Sequence, residues 1–384
     1  MINGKTDVAI IQVADHKNLV SAIKHGLDLI KFNSEQVVDK NVLLKPNCLQ
    51  ASEKAITSPE VVAAVSKIMK DFGARVDIGD SPMSGGTTAE SIYKKIKKFD
   101  LIRELGQNPN WISLMENPEL IQRKYFKKME KTVISKNFLD ASFVVNLPKY
   151  KTHFLTSFTG AIKNFWGIQT GTTKSKSHLY GKSPKNFGIV LADLFNFVHE
   201  QNKSNLVIMD AIKIMHGRGG PSFGNMMELG LMIIGTDAVA IDTVCVNIAG
   251  YDVKNVHYLE ECSERGLGIS DINKINILGI QVEEIKSPSK VIFPVGTYTG
   301  LIGLFQGVGN RFFKQYPHLK KNQCKKCGEC VKLCPAESIK IDEITGYPKF
   351  KRKDCINCLC CVEGCPQQAL KPRMAGMLGS LGLY

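Results

Sequence analysis

The sequence predicts an α/β domain built on a mainly parallel sheet with helices on both faces, followed by a small α+β domain organised around cysteines. Three observations carry this. Short Val- and Ile-rich runs alternate with amphipathic stretches through residues 6–280, nine of the twelve cysteines lie between Cys324 and Cys365, and the cysteine region repeats itself at an interval of thirty-one residues.

The apolar runs fall at 6–15, 41–47, 74–80, 142–148, 205–211 and 229–237, each short and closed by polar or turn residues. Strands buried on both faces of a parallel sheet read as continuous runs of this kind. Between them, 16–32, 59–72, 185–199 and 237–249 have the apolar spacing of helices. The second begins Thr57-Ser58-Pro59-Glu60, a capping-box spacing with proline in the first turn. Strand, helix and strand in succession predict a layered sheet. Residues 100–140 are less regular and read as an insertion or an antiparallel edge. The expected organisation is an α/β domain over 1–290, an apolar glycine-rich connector over 291–320, the cysteine domain over 321–372 and a tail over 373–384.

At 384 residues, 43% apolar and 22% charged, the chain can bury a full core. Its N-terminus carries no apolar signal-peptide region, so the cysteines read as reduced thiolates in a cytoplasmic setting rather than as disulfides. The formal net charge is +14, which favours acidic partners and anionic ligands. Nucleic acid is not the expected partner: lysines cluster only briefly, at Lys94, Lys95, Lys97 and Lys98, and no nucleic-acid-binding signature accompanies them. The uncharged stretch 291–310 is long enough to span a bilayer. Pro294 and glycines at 296, 300, 303, 307 and 309 interrupt it, so a packed connector is expected rather than a membrane segment.

Cys324, Cys327, Cys330 and Cys334-Pro335 recur as Cys355, Cys358, Cys361 and Cys365-Pro366. Three thiolates at two-residue gaps wrap one [4Fe–4S] cubane, while the fourth cysteine of each run turns away to ligate the other. One cluster then takes Cys324, Cys327, Cys330 and Cys365, and the second takes Cys355, Cys358, Cys361 and Cys334. Paired C-x-x-C motifs also bind zinc, but zinc does not need eight cysteines in two triplet-plus-one runs. The two clusters bring the net charge to about +10. Cys360 is a ninth thiol in the second run, expected as a buried spare.

Residues 321–372 resemble a bacterial-type two-[4Fe–4S] ferredoxin domain. The N-terminal part resembles the family catalogued as domain of unknown function 362, through KPN (45–47), GDSP (79–82), LPKYKTH (147–153), TGAIKN (159–164) and GTDAVAID (235–242). Read physically, these motifs follow successive strands and bring Lys45, Asn47, Asp80, Lys149, Lys151, His153, Lys163, Asn164 and Asp210 to one crevice outside the carboxyl ends. Lys151, Lys163 and His153 are the candidate catalytic residues, His153 as proton carrier. Lys45, Asn47, Asp80, Lys149, Asn164 and Asp210 are the candidate substrate contacts. No nucleotide-binding glycine motif is present. The expected function is electron transfer coupled to redox chemistry on a small anionic substrate; the rival is a pure carrier whose large domain docks a redox partner protein, the basic charge favouring an acidic one.

Overall fold

The computed structural model describes residues 5–13, 18–83, 87–217, 222–285, 289–293 and 315–374. The stretch 291–310 and the tail fall almost wholly outside them, as does the middle of the glycine-rich segment 217–224. Among the described residues no helix is long and apolar enough to cross a membrane.

Among the described residues sixteen strands run in chain order: β1 (Thr6–Gln12), β2 (Asn41–Pro46), β3 (Arg75–Ile78), β4 (Asn110–Trp111), β5 (Pro118–Ile121), β6 (Thr132–Ser135), β7 (Phe143–Leu147), β8 (Lys149–His153), β9 (Ser157–Thr159), β10 (Leu206–His216), β11 (Asn225–Gly235), β12 (Ile275–Gly279), β13 (Gln315–Leu319), β14 (Ile339–Ile341), β15 (Pro348–Phe350) and β16 (Leu370–Met374). The α-helices are α1 (Leu19–Leu29), α2 (Pro59–Asp71), α3 (Ala89–Lys95), α4 (Phe99–Leu105), α5 (Lys136–Asp140), α6 (Ala161–Asn164), α7 (Thr173–Lys176), α8 (Pro184–Glu200), α9 (Ala238–Ile248), α10 (His257–Glu264), α11 (Glu329–Lys332) and α12 (Cys360–Glu363).

The main sheet has the order β12-β1-β11-β10-β7-β2-β3-β4, with β8 pairing β10 and β9 pairing β8. Pairings are parallel except β1 with β11, β11 with β10, and β8 with β9. All six apolar runs are strands, and successive residues alternate between two cores. Val8, Ile10, Leu43, Val144 and Val207 pack with α8, α9 and α10, whereas Ala9, Ile11, Val42, Leu44 and Val145 pack with α1 and α2. Each fully buried Val, Leu or Ile side chain among them contributes about 1.5–3 kcal/mol. Residues 100–140 hold α4, the short β4 and a separate antiparallel β5–β6 pair.

Helix α2 starts at Pro59 as expected, but the capping box does not form. No side chain caps it from Ser58; the Ser58 amide and hydroxyl both donate to Asp210, at 2.8 and 2.7 Å. The box fails because Thr57 donates its hydroxyl to the Leu147 carbonyl and its amide to the Asn47 carbonyl.

In the C-terminal module β13 pairs β16 and β14 pairs β15, both antiparallel. Phe154 and Phe223 of the large domain pack against its core of Ile339, Leu359, Cys361, Val362 and Leu370.

Candidate functional site

The module contains two cysteine-lined cavities. One is bounded by Cys324, Cys327, Cys330 and Cys365, the other by Cys334, Cys355, Cys358 and Cys361. Each cavity thus draws three cysteines from one run and one from the other. Among the described residues no three His, Cys, Asp or Glu side chains converge tightly enough for a single ion; the thiols ring a space instead, as a cubane requires. The backbone fits as well. Left-handed residues recur in the two halves at Lys326 and Gly328, Asn357 and Leu359, and Glu337 and Gln368. These curls turn amides toward sulfur: Lys326 N–H donates to Cys324 Sγ at 3.4 Å, Ser338 N–H to Cys334 at 3.2 Å and Ala369 N–H to Cys365 at 3.3 Å. Such donors stabilise thiolate ligands and tune a cluster.

The second feature is a crevice outside the carboxyl ends of β2 and β3, beside the β2–β7 junction where the strand order changes direction. Its walls include Asn47, Asp80, Lys151, Lys163, Asn164, Lys174, His178 and Glu363, and it encloses about 50 Å³ of space open to water-sized atoms. Of the expected residues it gathers Asn47, Asp80, Lys151, Lys163 and Asn164.

Lys45 lies underneath. Its ammonium donates to Asp80 Oδ1 at 2.7 Å, and the other Asp80 oxygen accepts the Cys48 amide at 2.7 Å. A Cβ on Gly167 would collide with both side chains, so only glycine lets that backbone pass. Lys45 therefore meets an internal counterion rather than a ligand. Cys48 is a fully buried thiol whose pKa burial raises.

Lys149 and Asp210 do not line the crevice. Both are buried and pair at 2.8 Å, with Ser58 bonded to the same carboxylate oxygen. Lys149, Lys151 and His153 do not follow a strand but form one, β8, and Asp210 lies within β10 opposite Lys149.

Lys151 donates to Asn47 Oδ1 at 2.8 Å and to the Ala55 carbonyl at 2.7 Å. Burial, with Lys163 adding, lowers its pKa to about 7. Asn47 in turn donates to Asn164 Oδ1 at 3.0 Å, and Asn164 donates to the Lys45 carbonyl and to Asn146. This chain of amides fixes the crevice floor. The Lys163 side chain, on α6, makes no hydrogen bond to another described residue; burial lowers its pKa, and Glu363 opposes that. The start of α6 is held by Asp242, which accepts the Ala161 and Ile162 amides at 2.6 and 3.2 Å.

His153 stands behind the crevice wall. Its Nδ1 accepts the Leu155 amide at 3.0 Å, which places the proton on Nε2, 3.6 Å from Glu363 Oε1. Burial drives its pKa well below the usual imidazole value, so the ring is neutral.

Three wall residues carried no sequence expectation. Lys174 donates to the Ser81 carbonyl and hydroxyl and to the Pro82 carbonyl, and burial lowers its pKa to about 7. His178 stacks on Phe187 with centroids 4.5 Å apart; its Nδ1 lies 2.9 Å from the Lys174 carbonyl and 3.5 Å from Cys360 Sγ. Glu363 belongs to α12 of the cysteine module yet faces the crevice; burial raises its pKa, against the pull of Lys163 and Lys151.

Crevice and module touch through a thin layer. Leu49 and Met83, both in the crevice wall, pack on Cys358, Cys360 and Leu333.

A large parallel α/β domain joined to two four-cysteine cavities defines an iron–sulfur electron-transfer protein that carries two [4Fe–4S] clusters. The chain belongs to the family of the domain of unknown function DUF362, matched over residues 42–247, and residues 323–369 match the 4Fe-4S dicluster domain. It is 30% identical over 230 residues to "Thylakoid-associated protein sll1697" from Synechocystis sp., covering 59% of this chain and 68% of that one. Among solved structures it is similar to the lactate racemase apoprotein from Thermoanaerobacterium thermosaccharolyticum, with TM-score 0.41 and 16% identity over 65% of this chain. The chain spans 58% of the length of that racemase. A structural-genomics protein from Thermotoga maritima gives TM-score 0.38 and 12% identity, covering 87% of this chain and 85% of that one.

Proposed function

We propose that this protein is a cytoplasmic iron–sulfur oxidoreductase that reduces or oxidises a small anionic substrate held in the crevice. The observation that carries this reading is the side chain of Lys163, which lines the crevice without a hydrogen-bond partner among the described residues. Leu49 and Met83 of its wall share one apolar cluster with Cys358.

When bound, the clusters supply one-electron transfer and storage. The cysteines proposed to hold them are Cys324, Cys327, Cys330 and Cys365 for one, and Cys355, Cys358, Cys361 and Cys334 for the other. The rest of the chemistry falls to the crevice. Lys163 binds the anion, and Lys151 adds the hydrogen left after Asn47 and Ala55 are served. Asn47 and Asn164 orient the ligand. Glu363 is the carboxyl nearest the reacting space from the module side, with the His153 Nε2 proton behind it. The position of Lys45, Lys149 and Asp210 in internal ion pairs supports a framework role for them.

The test uses the anaerobically reconstituted full chain. The dithionite-reduced protein is mixed with a panel of small carboxylates and phosphate esters, and its reoxidation is followed by absorbance. One compound class should reoxidise the protein with stoichiometric product, and Lys163→Ala should suppress that reaction without changing iron content. If no member exceeds the buffer rate while an acidic carrier protein exchanges electrons equally with both forms, the large domain is a docking scaffold and the reading fails.

A further inference from the structure

The two cysteine-lined cavities differ in what covers them. That of Cys334, Cys355, Cys358 and Cys361 is bordered by apolar residues such as Pro317, Pro335, Ile339 and Ile356. Of its cysteines, Cys358 meets the large domain in a cluster that includes Leu49 and Met83 and no cysteine of the other cavity.

The cavity of Cys324, Cys327, Cys330 and Cys365 is the less covered of the two at its cysteines. Cys327 is exposed, and Lys325, Lys326 and Ile341 stand in its lining. Lys320 and Lys321 are exposed nearby in sequence and, like Lys325 and Lys326, form no ion pair among the described residues. Lys321 and Lys326 share the ring of Tyr347, at 5.5 and 4.5 Å from its centroid, which gathers the two charges on one side. Of the neighbouring carboxylates, Glu329 is engaged by Lys332 and Asp342 by Lys349, while Glu343 is exposed and leaves the lysines in excess. On the same β14–β15 loop Ile344 is 95% exposed.

We propose that this face docks an acidic one-electron carrier protein, so that reducing equivalents enter at the exposed cavity and leave at the buried one, toward the crevice. Each encounter oxidises the carrier by one electron and reduces the module by one; two encounters supply a two-electron conversion. An apolar residue beside unpaired cations matches a protein interface, where charge steers encounter and a small apolar centre holds it. Four lysines neutralise few phosphates, so nucleic-acid binding through this face would be weak at physiological salt. The position beside an exposed cluster cysteine benefits only a partner that exchanges electrons.

The experiment measures binding of an acidic flavodoxin to the full-length, iron-loaded protein by calorimetry over a range of salt concentrations. Affinity should fall steeply as salt rises. The double variant Lys320→Glu/Lys325→Glu should weaken binding at least about tenfold with unchanged iron content, whereas Lys95→Glu/Lys97→Glu, on and just after α3, should leave it unaltered. Equal loss in both double variants, no flavodoxin binding at low salt, or tighter binding of duplex DNA or anionic phospholipid vesicles through Lys320 and Lys325 would each overturn the proposal.

Discussion

His153 Nε2 lies 3.6 Å from Glu363 Oε1, so a strand of the large domain meets a carboxylate carried by the cysteine module. The imidazole is fixed by the Leu155 amide on Nδ1 and by the ring of Phe154, stacked 4.7 Å away. Glu363 also feels Lys151 and Lys163. The crevice is therefore built from two domains.

Glu363 competes with any anion for the same two lysines. Glu363→Gln keeps the shape and removes the charge, so oxalate and inorganic phosphate should bind several-fold more tightly, read by calorimetry. His153→Ala should leave their affinity largely unchanged while slowing turnover. Weaker oxalate binding in Glu363→Gln would show that the carboxylate is a ligand contact rather than a competitor.

Lys151 gives anion binding a pH dependence. Its two fixed acceptors are satisfied by either protonation state; only the ammonium offers a third hydrogen to the crevice. With the pKa lowered to about 7 by burial, oxalate affinity should be highest below that pH and decline as pH rises through it. Bound anion favours the charged form, which moves the midpoint upward. In Lys151→Met the decline should weaken but not vanish, because Lys163 and Lys174, whose pKa values burial also lowers, still line the crevice.

The cavity linings mix the two cysteine runs. Reconstituted protein should hold about eight iron and eight sulfide per chain. Cys365→Ser should damage the centre that Cys324, Cys327 and Cys330 line, and Cys334→Ser the other, each leaving about four iron by metal analysis and the second centre's electron paramagnetic resonance signal intact. Loss of the signal belonging to the mutated run would reverse the assignment.

The Lys149–Asp210 pair is a stability element. Asp210→Ala leaves an ammonium buried with no counter-charge and removes the acceptor of the Ser58 amide at the start of α2, so unfolding should be easier by about 3–5 kcal/mol. Lys149→Met/Asp210→Leu removes both charges and should recover much of that loss in thermal denaturation. Similar Tm values for the single and double variants would mean that the pair carries little energy.

Much of the architecture was legible because its causes are local. Strands buried on both faces must be continuously apolar, which marked β1, β2, β3, β7, β10 and β11, and metal chemistry demands its cysteine spacing. Strand β8 hides because KYKTH has no apolar run. Its lysines are buried only because distant groups receive them: Asp210 for Lys149, and Asn47 with Ala55 for Lys151. Lys174 escaped notice for the same reason, since its acceptors are at Ser81 and Pro82. Glu363 did leave a signal in CCVEGC. A carboxylate between ligands of two anionic clusters is costly unless cations wait nearby, and Lys151 and Lys163 are those cations.

Helix α12 is a single turn, too short to persist by itself, and it sits between Cys358 and Cys365, with Cys361 inside it. Iron is what anchors such a segment. Damage by oxygen should therefore unmake a wall of the crevice at the moment it stops the current. On the proposed reading the arrangement would work as an interlock: a chain that had lost its metal would also lose its grip on the anion, and would not trap a molecule it had no means of converting.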